Sequence, residues 1–123
     1  MGIFGKPEYV YKTEVTSDDT QTTVHQESLA ALQVMAVTVK AVVKKSDGTV
    51  VGQFLIAAAF RREASGNVVI SGNQHNIVKD VTGSAALSIA IEANTTTQTV
   101  DVKVTGIAAS SYTWEVGVST QRI

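Results

Sequence analysis

The residues that could support chemistry are few and far apart in the chain. His25 and His75 are the only histidines and cysteine is absent, so a metal site would need carboxylates from distant segments. The doublet Asp18-Asp19 lies in a threonine-rich stretch, which is typical of a solvated turn. No nucleophile elbow, phosphate-binding loop or calcium-binding loop occurs. The sequence therefore predicts a protein that is not an enzyme and holds no metal or cofactor.

The charged residues do not point to nucleic acid or to a membrane. Lysine and arginine number 10 against 11 acidic residues, a formal net charge of −1, so no broad positive field is present. Arg61-Arg62-Glu63 ends an apolar stretch without interleaved aromatic residues, which makes a weak nucleic-acid footprint. We interpret these charges as the polar end of a strand, paired with one another or with Asp80.

Two further motifs have structural interpretations. Trp114 alternates with Tyr112 and Val116, and its face continues into valines, so core packing is favoured over a sugar-stacking platform. The segment Asn94-Thr95-Thr96 fits a glycosylation sequon, but it also separates two extended stretches. We predict a turn there.

The N-terminal segment is the strongest candidate for docking. Ile3 and Phe4 are bracketed by glycines, and Pro7 follows, so these side chains do not join the alternating pattern that begins at Tyr9. Residues 1–8 are predicted to form an arm. Its Ile3, Phe4 and Pro7, together with Tyr9 at the start of the domain, are predicted to contact a neighbouring subunit. The alternative is a frayed terminus without a role.

The elements that would position these residues are β-strands. The chain has 123 residues, 44% hydrophobic and 17% charged, with 19 valines and 15 threonines, and β-branched residues favour a pleated sheet. Alternation between apolar and polar residues predicts strands at 9–15, 34–44, 49–62, 68–70, 77–81, 87–91, 99–105 and 112–118. We predict an all-β fold, an antiparallel β-sandwich or jelly roll of about eight short strands forming one domain over residues 9–123.

Some segments are less regular. Ser46-Asp47-Gly48 predicts a hairpin turn in which the glycine adopts a positive φ. Residues 17–26 fit either a loop or an edge strand, and residues 28–32 predict one helical turn with Ser28 as its N-cap. In the strand 49–62 both faces are apolar, because Leu55, Ala57 and Ala59 alternate with the core residues. A subunit interface is one way to cover the second face.

The stretch from Ala36 to Ile123 resembles small β-sandwich structural proteins of tailed bacteriophages. The resemblance lies in an alanine- and valine-rich hairpin running into Phe60-Arg61-Arg62. It continues in residues 99–106, a valine strand ending in Thr105-Gly106, and in an aromatic closing strand, Tyr112-Thr113-Trp114-Glu115-Val116. No catalytic motif accompanies it.

This resemblance implies a structural role in the virion. The leading prediction is a capsid decoration, or cement, protein made in the bacterial host cytoplasm and bound to the outer surface of the head. Its partners would be the major capsid protein and further copies of the chain, as a dimer or trimer, and its binding would stabilise the assembled shell. The alternative is a tail-fibre or receptor- or glycan-binding domain that uses loop residues such as Asn73 and His75.

Overall fold

The strands of the chain divide between two antiparallel sheets. The computed structural model describes residues 8–83 and 86–123. Within these ranges there are nine β-strands and no helix. The strands are β1 (Glu8–Thr16), β2 (Thr22–Ser28), β3 (Val34–Lys45), β4 (Val51–Arg62), β5 (Val68–Ile70), β6 (His75–Thr82), β7 (Ser88–Asn94), β8 (Thr99–Thr105) and β9 (Tyr112–Arg122). The predicted all-β class is confirmed.

The two sheets differ in size. As far as the structure describes the chain, the larger sheet has six strands in the order β1-β9-β3-β4, with β5 and β6 pairing successive lengths of the free edge of β4. The smaller sheet has three strands in the order β2-β8-β7. Every pairing is antiparallel, and one buried apolar cluster joins the sheets. The fold is therefore a β-sandwich, as the alternating pattern predicts.

The core lies between the sheets and follows the period of two residues. In β3 the side chains of Met35, Val37, Val39, Ala41 and Val43 are buried, and the side chains between them are exposed. Because of this alternation, one face of the larger sheet packs in the core.

Trp114 anchors the centre of this core. Its side chain is fully buried and lies against Phe54, with ring centroids 5.9 Å apart and an interplanar angle of 31°. Its indole Nε1 donates a hydrogen bond of 3.0 Å to Thr16 Oγ1. Core packing of Trp114 is thus the correct interpretation, and the residue is not available as a sugar-stacking platform.

The β3–β4 connection confirms the predicted hairpin. Gly48 has a φ of +75°, which glycine adopts without steric cost. Asp47 Oδ1 accepts hydrogen bonds from the Thr49 amide at 2.9 Å and the Thr49 hydroxyl at 2.6 Å. Backbone bonding resumes where the Lys45 amide donates to the Val50 carbonyl, so the loop is longer than a two-residue turn.

The helical turn predicted at residues 28–32 is wrong. Ser28 is the last residue of β2, and Leu32 has a φ of +67°, which a right-handed helix cannot contain. The Ala30 amide donates instead to the side chain of Gln33, at 2.9 Å. The segment is a turn between the two sheets, and its one core side chain is Leu29.

The structure also decides between the two conformations considered for residues 17–26. Of the loop and the edge strand considered for residues 17–26, the edge strand is correct from Thr22 onward, since β2 pairs with β8. The predicted arm of residues 1–8 is not tested, because residues 1–7, including Ile3, Phe4 and Pro7, lie outside the described residues. Glu8 is already part of β1.

One sheet edge is closed by a side chain. In the side chain of Gln74, Nε2 donates a hydrogen bond to the Ile89 carbonyl at 3.0 Å, and Oε1 accepts one from the Ile91 backbone amide at 2.8 Å. These are the two bonds that a neighbouring strand would make with β7. Gln74 therefore shields part of the free edge of the smaller sheet.

Candidate interaction surface

The side of the larger sheet that faces away from the core carries an extended apolar surface. The cross-strand register places the following described side chains on it: Tyr9, Tyr11, Thr13 and Val15 of β1; Thr113, Glu115, Ser119 and Gln121 of β9; Ala36, Thr38, Lys40, Val42 and Lys44 of β3; and Val51, Gln53, Leu55, Ala57 and Ala59 of β4. We call this set the outer face. No described strand packs over it.

Part of the outer face is formed by exposed apolar side chains. Val42 is 53% exposed and Val51 43% exposed, and together with Thr113 and Glu115 they line a shallow depression. The charges on this part of the face are few, since Lys40, Lys44 and Glu115 stand among threonine, valine and alanine. Large exposed apolar patches mark interaction sites.

Leu55, Ala57 and Ala59 lie where the sequence predicts a second apolar face of β4. All three side chains are partly exposed and belong to the outer face. The structure contains no second subunit, so an interface through them stays a prediction. The valines at positions 42 and 51 were not among the residues predicted to form an interface.

Tyr9, the one predicted docking residue within the described part, lies at the border of the outer face. Its side chain is 65% exposed, and Tyr11, two residues further along β1, is 56% exposed. The ring of Tyr9 lies across Gly117 of β9, where a Cβ would stand 2.2 Å from the tyrosine Oη. Glycine at position 117 therefore allows this ring to lie against the sheet.

The alternative prediction names Asn73 and His75 as loop residues. Asn73 lies in the β5–β6 loop, whereas His75 is the first residue of β6, and both meet the same surface. They line a depression whose floor is Thr38, Ala57 and Ala59. Both side chains are exposed. The structure thus brings them together at one end of the outer face, as a polar rim beside a floor of small residues.

His25 is mostly buried and in contact with a carboxylate. Its Nε2 lies 2.8 Å from Glu27 Oε1, and the two side chains are 12% and 18% exposed. Glu27 also pairs with Arg122 of β9, which lies 3.8 Å from Glu8 of β1. This cluster connects the edge of the smaller sheet to the larger sheet. His25 is part of it and has a structural role.

A buried carboxylate forms a second polar cluster. Asp101 is 2% exposed and accepts hydrogen bonds from Thr99 Oγ1 at 2.6 Å, Asn94 Nδ2 at 3.0 Å and Gln26 Nε2 at 3.2 Å. Burial by itself would raise the pKa of Asp101, but these hydrogen bonds hold the pKa below its ordinary value. All its partners are side chains of the smaller sheet and its hairpin, so the cluster orders those strands.

The other polar residues considered in the sequence also make hydrogen bonds or ion pairs within the fold. Arg61 pairs with Glu63 at 3.5 Å, as predicted, whereas Arg62 donates to the carbonyls of Gly66 and Leu29. Asp80 accepts from Gln53 and not from an arginine. Asn94 Oδ1 accepts from the amides of residues 96 and 97, which makes the predicted turn.

The described ranges contain neither a metal-binding cluster nor a membrane-spanning helix. No group of three or more histidine, aspartate or glutamate side chains able to hold a metal ion occurs within residues 8–83 and 86–123. Nor does the described chain contain a helix long and apolar enough to cross a membrane. The surface features that remain are the outer face and the strand edges.

Comparisons with known proteins give likenesses in structure alone. No family model matches the sequence, and no curated protein matches it. Two solved structures are similar in overall fold, both of phage tailspike proteins. The tailspike of Acinetobacter baumannii phage AM24 shares 7% sequence identity with a TM-score of 0.48, and the match covers 91% of this chain and 26% of that chain.

The second structure is the tailspike gp49 of Acinetobacter baumannii bacteriophage Fri1, which is described as a capsular polysaccharide depolymerase. It shares 8% identity with a TM-score of 0.45, and the match covers 90% of this chain and 17% of that chain. Both are phage virion proteins, the coarse class that the resemblance implies. A likeness this distant carries no argument about what this chain does.

Proposed function

We propose that this chain is a non-enzymatic structural module of a bacteriophage virion that binds another virion protein through the outer face. The observation that supports the proposal is the unpaired apolar surface of the larger sheet, on which Val42 and Val51 are about half exposed. The resemblance of residues 36–123 to phage β-sandwich proteins supplies the virion context. Stable attachment would come from burial of this apolar surface.

The size of the outer face suits a protein partner. It is four strands wide, and β9 has 11 residues. With strand spacings of about 4.8 Å and about 3.3 Å per residue, the face covers roughly 700 Å². A standard protein–protein interface buries about 800 Å² on each partner. A flat apolar face of that area matches a folded protein better than a nucleic acid, which would require a basic surface.

Two locations in a virion would use such a face. In capsid decoration the partner is the major capsid protein, and the face would clamp the outside of the shell. In a tail fibre the face would pack on the fibre, and the depression at Asn73 and His75 would be the place for a receptor or glycan. The second arrangement shares its location with the two tailspike proteins.

Binding of the labelled chain to purified phage heads and, separately, to purified tails tests the proposal. We expect the chain to cosediment with one of the two. Val42→Asp and Val51→Asp each place a carboxylate in the apolar contact, and each should weaken that binding at least about tenfold, as loss of a central interface residue does.

Leu32→Asp is the matched control. Leu32 is 75% exposed, more than Val42 or Val51, but it lies in the turn between β2 and β3. Aspartate tolerates its positive φ, so binding should be unchanged. The proposal fails if the chain binds neither heads nor tails, or if Val42→Asp and Val51→Asp bind as tightly as the unchanged chain.

A further inference from the structure

The outward edge of β1 is the longest regular strand edge that the described structure leaves open. β1 pairs with β9 along nine residues with no shift in register, and no described strand lies on its other side. The remaining edges are interrupted. β5 has three residues, β2 and the β4–β6 pairing each contain an irregularity, and Gln74 closes part of β7.

An edge of this kind is a template for another strand. β1 contains no proline and no bulge over residues 8–16, so its free amides and carbonyls form a continuous row. Its two central charges, Lys12 and Glu14, have no ion pair within the described residues. A partner strand could hydrogen-bond with this backbone row and also form ion pairs with Lys12 and Glu14.

We propose that the partner is β1 of a second copy of this chain, paired antiparallel about a twofold axis at Thr13. This register places Lys12 opposite Glu14 of the second copy, twice by symmetry. Tyr11 then stands opposite Val15, and Thr13 stands opposite itself. Opposite charges, aromatic with β-branched residues, and threonine pairs are all favourable cross-strand pairs.

The neighbouring registers are less favourable. A twofold axis at Lys12 places the two ammonium groups opposite each other. An axis at Tyr11 places Glu8 opposite Glu14, and like charges directly opposite are destabilising. Because side chains alternate between faces, only shifts of two residues keep the core sides of both sheets aligned. Only two registers therefore place Lys12 opposite a glutamate of the second copy.

The second of these has its axis at Val10. It places Glu8 opposite Lys12, but Glu8 already lies 3.8 Å from Arg122 within its own chain. It would also join only residues 8–12 of the described strand, whereas the axis at Thr13 joins residues 10–16. The longer pairing with free charges is therefore the one we infer. It would continue the larger sheet, and with it the outer face, across two copies.

Reversal of the charges tests the contact. The unchanged chain should sediment as a dimer, at twice 13.0 kDa. Lys12→Glu and Glu14→Lys each replace two attractive pairs with two repulsive ones, so each should raise the dimer dissociation constant about tenfold or more. The double variant K12E/E14K restores both pairs and should dimerise like the unchanged chain.

Lys79→Glu is the matched control for charge, since Lys79 is an exposed lysine of the same sheet on β6, away from β1 and outside the outer face. It should leave the dissociation constant unchanged. A monomeric mass for the unchanged chain at all concentrations tested would overturn the proposal. So would a dimer that is indifferent to Glu14→Lys, or a double variant that stays dissociated. Circular dichroism of each variant establishes that it is folded.

Single cysteines test the register independently, because the natural chain contains none. Thr13→Cys places two thiols opposite each other across the axis and should form a disulfide-linked dimer under mild oxidation. Tyr11→Cys is separated from its own symmetry copy by four residues, about 13 Å along the strand, beyond the reach of a disulfide. Rapid cross-linking at position 10 or 11 in place of 13 would refute the Thr13 register.

Discussion

Removing the acceptor of the Trp114 indole should destabilise the fold measurably. Thr16 is 4% exposed, and its Oγ1 accepts the indole hydrogen bond at 3.0 Å. Thr16→Val keeps the shape of the side chain but leaves the N–H of a fully buried tryptophan without a partner. An unsatisfied buried donor costs about 1–3 kcal/mol, so we expect the free energy of unfolding to fall by about 2 kcal/mol.

Thr120 provides a control of the same chemistry. It is 3% exposed and lies in the same sheet, but its Oγ1 has no hydrogen-bond partner among the described residues. Thr120→Val therefore removes a buried hydroxyl whose burial is uncompensated. The free energy of unfolding should stay constant or rise by about 1 kcal/mol. The same substitution thus has opposite expected effects at two buried sites.

Urea denaturation followed by tryptophan fluorescence measures both, since Trp114 is the only tryptophan. With a slope of about 1–3 kcal/mol per molar urea, Thr16→Val should lower the midpoint by roughly 1 M without changing the slope. Measurements at several protein concentrations separate unfolding from dissociation. Equal losses of stability at the two positions would show that the hydroxyls act through packing, and would refute the assignment of the indole hydrogen bond.

Two further perturbations address the polar contacts. Asp101→Asn presents an amide to donors and should cost about 1–3 kcal/mol at neutral pH. Because the pKa of Asp101 is lowered in the folded state, its stabilisation is present above the ordinary aspartate pKa of about 3.9 and is lost as the pH falls through the folded-state value. The difference from the unchanged chain in urea titrations should therefore shrink below about pH 4, and a constant difference would contradict this origin. Gln74→Ala removes the side chain that covers the edge of β7, so the Ile91 amide should exchange with deuterium faster, by at least about tenfold, and unchanged exchange would refute the shielding role.

Local patterns in the sequence predict most strands but not their neighbours. The valines at 100, 102 and 104 alternate with polar residues, and the strand has the predicted bounds, Thr99–Thr105. Asp47-Gly48 likewise predicts its hairpin. The order of strands depends on contacts between distant residues, such as the pairing of β1 with β9. No local period of two residues contains that information.

The surface features were harder to predict than the core, because they depend on exposed apolar residues and on contacts between distant segments. Val42 alternates onto the same face as Lys40 and Lys44 and is 53% exposed, so an apolar residue type alone does not identify a core position. The turn at residues 29–33 is helix-like in composition, but its conformation is set by partners elsewhere, among them the Gln98 carbonyl that accepts from the Leu29 amide. A partly apolar second face, as at Leu55 and Ala57, was the one local signal of the outer face.

The central position of β9 in the larger sheet has a consequence for folding on the ribosome. β9 is the last described strand to be synthesised, yet it lies between β1 and β3 and pairs with both. Until it emerges, β1 has no neighbour in its sheet, and the inward edge of β3 is open. Such edges expose nascent chains to wrong pairing, and sheets closed by distant segments fold slowly. Completion of the larger sheet is therefore a late step in folding, in which residues 112–122 pair with two strands that were synthesised earlier.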